Sequence, residues 1–398
     1  MQILSPTLFI EINNFEYIFL VGERNEKNNF NIIYKSIIPI EGIKNFEITN
    51  FDLAFNSIKK NIYLLEEKVN LIFKDIILVL DNFHISFINL TGFKKLNGSQ
   101  ILKDDITYIL NSLKSNVGEI ENKKTILHIF NSKYCLDKKN IENIPIGLFG
   151  DFYSQELSFC LIKNNDFKNL EKIFDKCNLK IKKILLKSFV EGSFLSSTNS
   201  NIDTFFKIKI NSNNSQILYF ENNSLKFEQN FNFGSDIVIK DISKITSLRI
   251  DTVKKIINDN KLVKEIEKDI LIEKKFFEDE NFKNIKKKFI FEIAVARIQE
   301  LADILIFKNI NLVSFLNKEK ILYLTMSDKK NFRCFEESYR LLFSKNQSHK
   351  VKFKENIETE SFYDNVHKLV HFGWKKEAVP VIQTEKSLIE RFFDSLFT

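Results

Sequence analysis

The chain has 398 residues, with 59 basic and 52 acidic side chains and a formal net charge of +7. At ~100–200 residues per domain it allows two to four domains, and 44% hydrophobic with 28% charged residues excludes both a disordered chain and a membrane bundle. The longest apolar run, Ile76 to Leu80, is far below the ~18 residues of a spanning helix. The basic excess is almost all lysine, interleaved with Glu and Asp rather than clustered with arginine and aromatics, so no nucleic-acid face is expected. Glycine numbers only ten, well under the ~7% of average usage, which limits phosphate-cradling loops.

In chain order, Thr7–Ile12 and Phe15–Val21 read as two strands joined by Asn13 and Asn14. The apolar stripe Phe51, Ala54, Phe55, Ile58, Ile62 and Leu65 predicts a helix over 50–69. A buried-type strand follows at Asp75–Leu80, then an alternating strand at Phe83–Ile88, a helix at 103–114 and a strand at Thr125–Phe130. Pro145, Gly147 and Gly150 mark a turn region that would separate lobes. Strand Gln155–Leu161, helix 166–177 and strand 181–186 come in βαβ order. Phe205–Ile210 and Gln216–Phe220 form a second hairpin, with helices at 236–260 and 282–306, a strand at Ile321–Thr325 and a helix at 359–373. Two strand–polar turn–strand units about half a chain apart are what a duplicated α/β core would show.

The cysteines Cys135, Cys160, Cys177 and Cys334 have neither metal-site nor disulfide spacing and read as small buried hydrophobes in a reducing compartment. The first residues lack the basic segment and cleavage site of a secretory signal, so a cytoplasmic chain, or one held on a membrane from that side, is expected. His367 and His371 stand at i, i+4, but with Lys368 between them and no third ligand they read as packed helix residues, and no metal site is expected.

Several motifs occur in a telling order. Leu20-Val21-Gly22-Glu23 ends the first hairpin, Gly42-Ile43-Lys44 precedes the 50–69 helix, and Ile77–Ile85 follows it. Pro145–Gly150, the segment 170–188, Phe233-Gly234-Ser235-Asp236-Ile237-Val238-Ile239-Lys240-Asp241-Ile242 and Ala296-Arg297-Ile298-Gln299-Glu300-Leu301 come next. In these motifs the chain resembles the FtsA family of bacterial cell-division proteins, actin-like relatives of sugar kinases and heat-shock ATPases. The resemblance covers nearly the whole chain. It implies an α/β, actin-like, two-lobed fold, a duplicated RNase H-like core with a small α+β subdomain inserted in the first lobe. The implied divisions are 1–74, 154–195 for the first lobe core, 75–153 for the insertion, 196–235 and 296–378 for the second lobe core, 236–295 for its upper part, and 379–398 for a linker and tail.

The resemblance also implies ATP and Mg²⁺, held by glycine-rich turns whose backbone N–H groups approach phosphate because no side chain intervenes. The first turn, Asp-x-Gly-Thr-Ser-Lys in the family, is here Glu11, Ile12, Asn13, Asn14, Phe15 and Glu16. The second, Asp-x-Gly-Gly-Gly-Thr-Thr-Asp, is Lys209, Ile210, Asn211, Ser212, Asn213, Asn214, Ser215 and Gln216. The third, Leu-Thr-Gly-Gly, is Leu324, Thr325, Met326 and Ser327; Gly234 alone keeps a family glycine of this set. Carboxylates that would organise Mg²⁺ and polarise water are replaced, so the chain is not expected to hydrolyse ATP. Asparagine tolerates left-handed backbone, so the turns could keep the family's shape, and Lys209 could still offset phosphate charge.

Ser387 with Glu390 forms a capping box, and Leu388, Ile389, Phe392, Phe393, Leu396 and Phe397 fall within an arc of roughly 180° at ~100° per residue. This suits an interfacial membrane anchor, as in the family, although acids outnumber bases on its polar side; docking on the protein's own surface or on a partner is the alternative. Lys283, Lys286, Lys287 and Lys288 lie where the family receives the C-terminal peptide of FtsZ and are candidates for that contact, although a solvated helix face is the more frequent explanation of a lysine run. The resemblance thus implies an adaptor that binds FtsZ, inner-membrane lipids through the tail and later division proteins through the insertion, and that self-associates. The alternatives are the actin-like scaffold of type IV pilus assembly and an active ATPase of the same superfamily.

Overall fold

The computed structural model describes residues 5–380 apart from 26–28, 45–46, 82, 200–201, 260–269, 279, 317–319, 328–332 and 346–347. These residues form two compact units, one of residues up to 203 with 220–227 and those from 357 onward, the other of 204–219 and 228–356.

The first unit begins with β1 (Thr7–Ile12), β2 (Glu16–Arg24) and β3 (Phe30–Pro39), an antiparallel run. Gly22 faces the bulge at Ile33 of β3, and a Cβ on it would lie 2.3 Å from the Phe30 ring. A minimal pair, β4 (Ile43–Lys44) and β5 (Glu47–Ile48), leads into α1 (Phe51–Val69). The Asn50 side chain caps α1 by accepting the Leu53 N–H, and Asn70 ends it in left-handed conformation at φ 54°. Its buried residues Ala54, Ile58, Ile62 and Leu65 are the predicted stripe.

Strand β6 (Asp75–Leu80) pairs parallel with β1, so it belongs to the first sheet and not to an insertion beginning at 75. The chain then leaves for a second sheet: β7 (Ile85–Lys95), α2 (Lys103–Ile120), β8 (Lys124–Leu136), β9 (Lys139–Ile141) and β10 (Phe152–Lys163). β10 pairs with both β7 and β8 over its full length, so this small α+β body runs from about 85 to 163. Ile109, Leu113 and Val117 of α2 pack with Tyr153, Leu157 and Phe159 of β10 in its core. Pro145–Gly150 does not separate lobes. It folds back within the small body, Ile101 N–H donating to Leu148 O and Gly147 N–H to Ile101 O, both at 2.9 Å.

The chain returns through α3 (Asn164–Lys176), β11 (Lys180–Leu186) and α4 (Lys187–Thr198), and β11 pairs parallel with β6. The first sheet therefore reads β11-β6-β1-β2-β3. Leu8 to Ile12 and Ile76 to Leu80 are buried without alternation, the signature of strands covered on both faces.

The other sheet repeats this order. It is built from β12 (Phe205–Ile210), β13 (Ser215–Glu221), β14 (Ser224–Phe231), β15 (Ile321–Met326) and β16 (Lys350–Phe353), in the order β14-β13-β12-β15-β16. β15 runs parallel to both β12 and β16. The α/β core is thus present twice, as a duplicated, actin-like fold requires.

Among the described residues of the second unit, the α-helices are α5 (Asp236–Thr246), α6 (Ile250–Ile257), α7 (Lys287–Ala302) and α8 (Glu336–Phe343). The helix expected over 236–260 breaks because Ser247 turns left-handed at φ 54° and Glu280 takes the Arg249 N–H. The helix expected from 282 starts only at Lys287, since Ile285 and Lys286 pair with Ile272 and Leu271 in extended form. The first unit closes with α9 (Thr359–Phe372) and β17 (Glu377–Pro380), which adds to the edge of β8.

Candidate functional site

The turn after β1 is where the first phosphate loop of the family would lie. The N–H groups of Asn13, Phe15 and Glu16 are used internally. Asn13 Oδ1 accepts the backbone N–H groups of Phe15 and Glu16, each at 2.8 Å, so an Asx turn consumes the donors an anion would need. Phe15 projects 67% exposed from the tip. None of the turn asparagines, Asn13, Asn14, Asn211, Asn213 or Asn214, adopts positive φ, so their tolerance of left-handed backbone is not what shapes these turns.

Beneath the first turn lies a cluster that sequence reasoning found only in part. Glu11 is 2% exposed. Its Oε1 accepts from Lys187 Nζ at 2.7 Å and its Oε2 from the Tyr363 hydroxyl at 3.1 Å, while Lys187 also reaches Asp81 Oδ2 at 3.0 Å. Burial works against the Lys187 charge, but Asp81 and Glu11 outweigh it and hold its pKa above the ordinary lysine value. Burial, reinforced by Glu11, drives the Tyr363 hydroxyl well above its usual range. Asp81 and Lys187 each follow the last residue of a buried parallel strand, Leu80 of β6 and Leu186 of β11. A charged residue at that position is the sequence signal that could have found them, because open α/β sheets place ligands at strand carboxyl ends.

In the second unit the turn after β12 is closed by its own chain. Asn211 N–H bonds to Asn214 O, and the N–H groups of Ser235 and Asp236, at the start of α5, donate to the carbonyls of Asn211 and Ser212 at 2.9 and 3.0 Å. Ser215 Oγ donates to Phe233 O at 2.8 Å. Gly234 is required here for close approach, since a Cβ would lie 2.0 Å from Asn211 O. Ser212 and Asn213 sit at the tip of this turn, Ser327 Oγ bonds to Asn211 Oδ1, and Ser327 N–H bonds to Ile210 O. Lys209 pairs in register with Thr325 across β12 and β15, and Ile210 with Met326, so two of the sequence-predicted turns do meet. Thr325 is buried, whereas Ser327 is exposed. Gln216, in place of the family carboxylate, donates to Glu228 Oε1 at 2.9 Å. At both hairpins, backbone N–H groups of the turn or of the segment packed on it are already engaged by the chain's own oxygens.

The four candidate lysines do not share one surface. Lys287 is 2% exposed and faces Glu273 at 3.9 Å, and Lys283 is tied to the Ser247 carbonyl. Lys286 and Lys288 remain accessible and, with Phe289, line an open concavity of about 520 Å³. The tail residues Leu388, Ile389, Phe392, Phe393, Leu396 and Phe397 lie outside the described residues. Among the described residues no helix is long and apolar enough to cross a membrane.

His367 and His371 are packed helix residues, their rings 4.1 Å apart, with Arg24 Nε donating to His367 Nδ1 at 3.1 Å. Burial lowers the His367 pKa to about 4, helped by His371 and Arg24. Cys160 is buried, and burial pushes the thiols of Cys177 and Cys334 up to about 11 and about 12, which suits inert small hydrophobes.

Two motif residues 56 positions apart, Asp241 and Arg297, form an ion pair that ties α5 to α7. No family model matches the chain. Whole proteins do. It is 24% identical over 407 residues to the cell-division protein FtsA of Buchnera aphidicola subsp. Acyrthosiphon pisum, covering 98% of this chain and 94% of that one. The chain is FtsA-like. FtsA of Buchnera aphidicola subsp. Schizaphis graminum is 25% identical over 297 residues, 73% of this chain and 70% of that protein. In fold the FtsA-like chain matches a solved type IV pilus biogenesis complex of PilM and PilN with a TM-score of 0.51 at 8% identity, over 93% of this chain and 97% of that one. That likeness concerns the fold alone.

Proposed function

We propose that this chain is an adaptor of bacterial cell division that fastens FtsZ filaments to the cytoplasmic face of the inner membrane, recruits later division proteins through the small α+β body and self-associates, with little or no ATP hydrolysis. The observation that carries this reading is similarity running along almost the entire length of a protein named FtsA. The concavity lined by Lys286, Lys288 and Phe289, where Glu292 stands 4.0 Å from Lys288 Nζ, sets basic groups beside an aromatic that an acidic partner peptide could meet, and the apolar arc of 388–397 would supply the membrane contact. Many weak anchors along a filament add up, because each further contact is made at high effective concentration. The type IV pilus reading keeps the fold but lacks the sequence similarity.

The test is co-sedimentation of purified full-length chain with FtsZ filaments and with vesicles of inner-membrane lipid composition. FtsZ should pellet with vesicles only when the chain is present. Removing residues 387–398 should abolish vesicle recruitment and leave FtsZ binding, whereas Lys286→Glu with Lys288→Glu should weaken FtsZ binding about tenfold or more. A chain that ignores FtsZ filaments overturns the reading.

A further inference from the structure

Three neighbouring strands of the first sheet, β1, β6 and β11, run parallel, and each delivers one charged residue at its carboxyl end: Glu11, Asp81 and Lys187. This is the place where open α/β sheets hold their ligands, and in a nucleotide-binding chain of this fold the carboxylates there would face a divalent cation. Here the side chains are 3%, 12% and 20% exposed, and the lysine ammonium stands between the two carboxylates at 2.7 and 3.0 Å. We propose that Lys187 is a built-in cation, occupying the position between Glu11 and Asp81 that Mg²⁺ would need, so that this site is complete without metal and does not accept one.

The geometry argues against Mg²⁺ on two grounds. Mg²⁺ requires oxygens at about 2.0–2.1 Å in near-octahedral array with several retained waters. The carboxylates are instead spaced for an ammonium, with the second Glu11 oxygen already taken by Tyr363 at 3.1 Å. An ammonium is also tethered: it costs no binding step, and its attraction to two largely buried carboxylates replaces the contribution a bound metal would make to holding the three strand ends together. Asp81 N–H donates to Ile12 O at 2.9 Å, so Asp81 also ties its strand end to the start of the first hairpin turn. The inference extends the proposal of little or no ATP hydrolysis, yet its test is independent of FtsZ.

Mn²⁺, as the probe for Mg²⁺, is titrated into full-length protein and unbound metal is followed by electron paramagnetic resonance. Wild type should show no saturable binding below millimolar Mn²⁺. Lys187→Met, which keeps the aliphatic stem and removes the charge, should gain a site at least tenfold tighter than any wild-type binding, and Glu11→Gln added to it should remove that site. Saturable wild-type binding that disappears in Glu11→Gln overturns the proposal, as does a folded Lys187→Met that gains nothing. Should Lys187→Met fail to fold, the wild-type and Glu11→Gln titrations decide alone. A metal-binding wild type would leave the co-sedimentation with FtsZ unaffected, so the two readings fail separately.

Discussion

Replacing Glu377 by Gln should release the last described strand of the chain. Glu377 is buried in β17, accepts from His128 Nδ1 and Lys183 Nζ at 2.9 Å each, and is 3% exposed at its side chain. Burial alone would raise its pKa, but His128 and Lys183 lower it below the ordinary glutamate value. A glutamine keeps one acceptor and loses the charge, which forfeits about 1.5–3 kcal/mol for a charged hydrogen bond. It also leaves Lys183 buried without its carboxylate, and breaking such a pair costs about 3–5 kcal/mol in all. Lys183 is 10% exposed at its side chain, so the lower end, about 3 kcal/mol, is the working figure. β17 is four residues long and pairs with β8 across Phe130, Ile129 and His128. A loss of 3 kcal/mol corresponds to about a hundredfold rise in its open population. Hydrogen exchange read by mass spectrometry should therefore lose about two orders of magnitude of protection in peptides covering 374–380 and the facing 128–131, with β1 to β3 unchanged. Because the carboxyl pKa is depressed, the contribution is full above the unfolded value near 4.5 and is lost as pH falls through the lower folded value. Wild-type protection at pH 5.5 should equal that at pH 7. Unchanged protection in Glu377→Gln would show that the backbone ladder alone holds the strand and refute the reasoning.

Two further outcomes follow from buried groups. His367, facing Arg24, Asp364, Lys182 and His371, is held neutral with a pKa of about 4 against 6.5 unfolded. The unfolded chain binds the extra proton first, so stability is full above pH 6.5 and declines toward pH 4, by up to about 3 kcal/mol. His367→Leu should flatten the melting temperature across that window, and an unchanged slope would exclude His367 as its source. Gly234→Ala forces a Cβ to within 2.0 Å of the Asn211 carbonyl; a backbone clash of this kind costs about 1–3 kcal/mol or more, read as a melting temperature several degrees lower, and an unchanged melting curve would mean that the turn after β12 yields freely.

Much of this architecture was legible in the sequence because individual residues carried strong local signals. The spacing of Ala54, Ile58, Ile62 and Leu65 identified α1, and Asn13 and Asn14 between two aromatic, β-branched runs identified the first hairpin. β3 carried no such signal: Ile33 and Ile37 are 44% and 48% exposed on an edge strand, so apolarity there does not mark the core. α4 was hidden for the opposite reason. Phe189, Val190, Glu191, Gly192 and Ser193 are buried in succession, so no amphipathic period exists to be read. At the site, the loss of glycines was legible, but what replaced them was not. That Asn13 spends its side chain on two N–H groups, and that Lys187 stands between Glu11 and Asp81, depend on contacts between residues up to 176 positions apart.

These contacts decide what should happen when ATP with Mg²⁺ is titrated into the protein. Binding at a hairpin turn needs unengaged N–H donors, room for phosphate and a cation. At the first turn the Phe15 and Glu16 N–H groups already bond to Asn13, and Glu16 adds a negative charge. At the second, Ser235 and Asp236 spend their N–H groups on the carbonyls of Asn211 and Ser212. Each donor would have to break an existing bond before meeting phosphate, an exchange with little net gain where an empty glycine turn pays nothing. A fluorescent ATP analogue, with unlabelled ATP competing, should therefore show no saturable binding at micromolar concentrations, and Asn13→Gly alone should not create it, since Lys187, Glu11 and Asp81 remain mutually engaged. Competitive micromolar binding by wild type would mean that these turns rearrange for nucleotide, and would return ATP-controlled assembly to the centre of the mechanism.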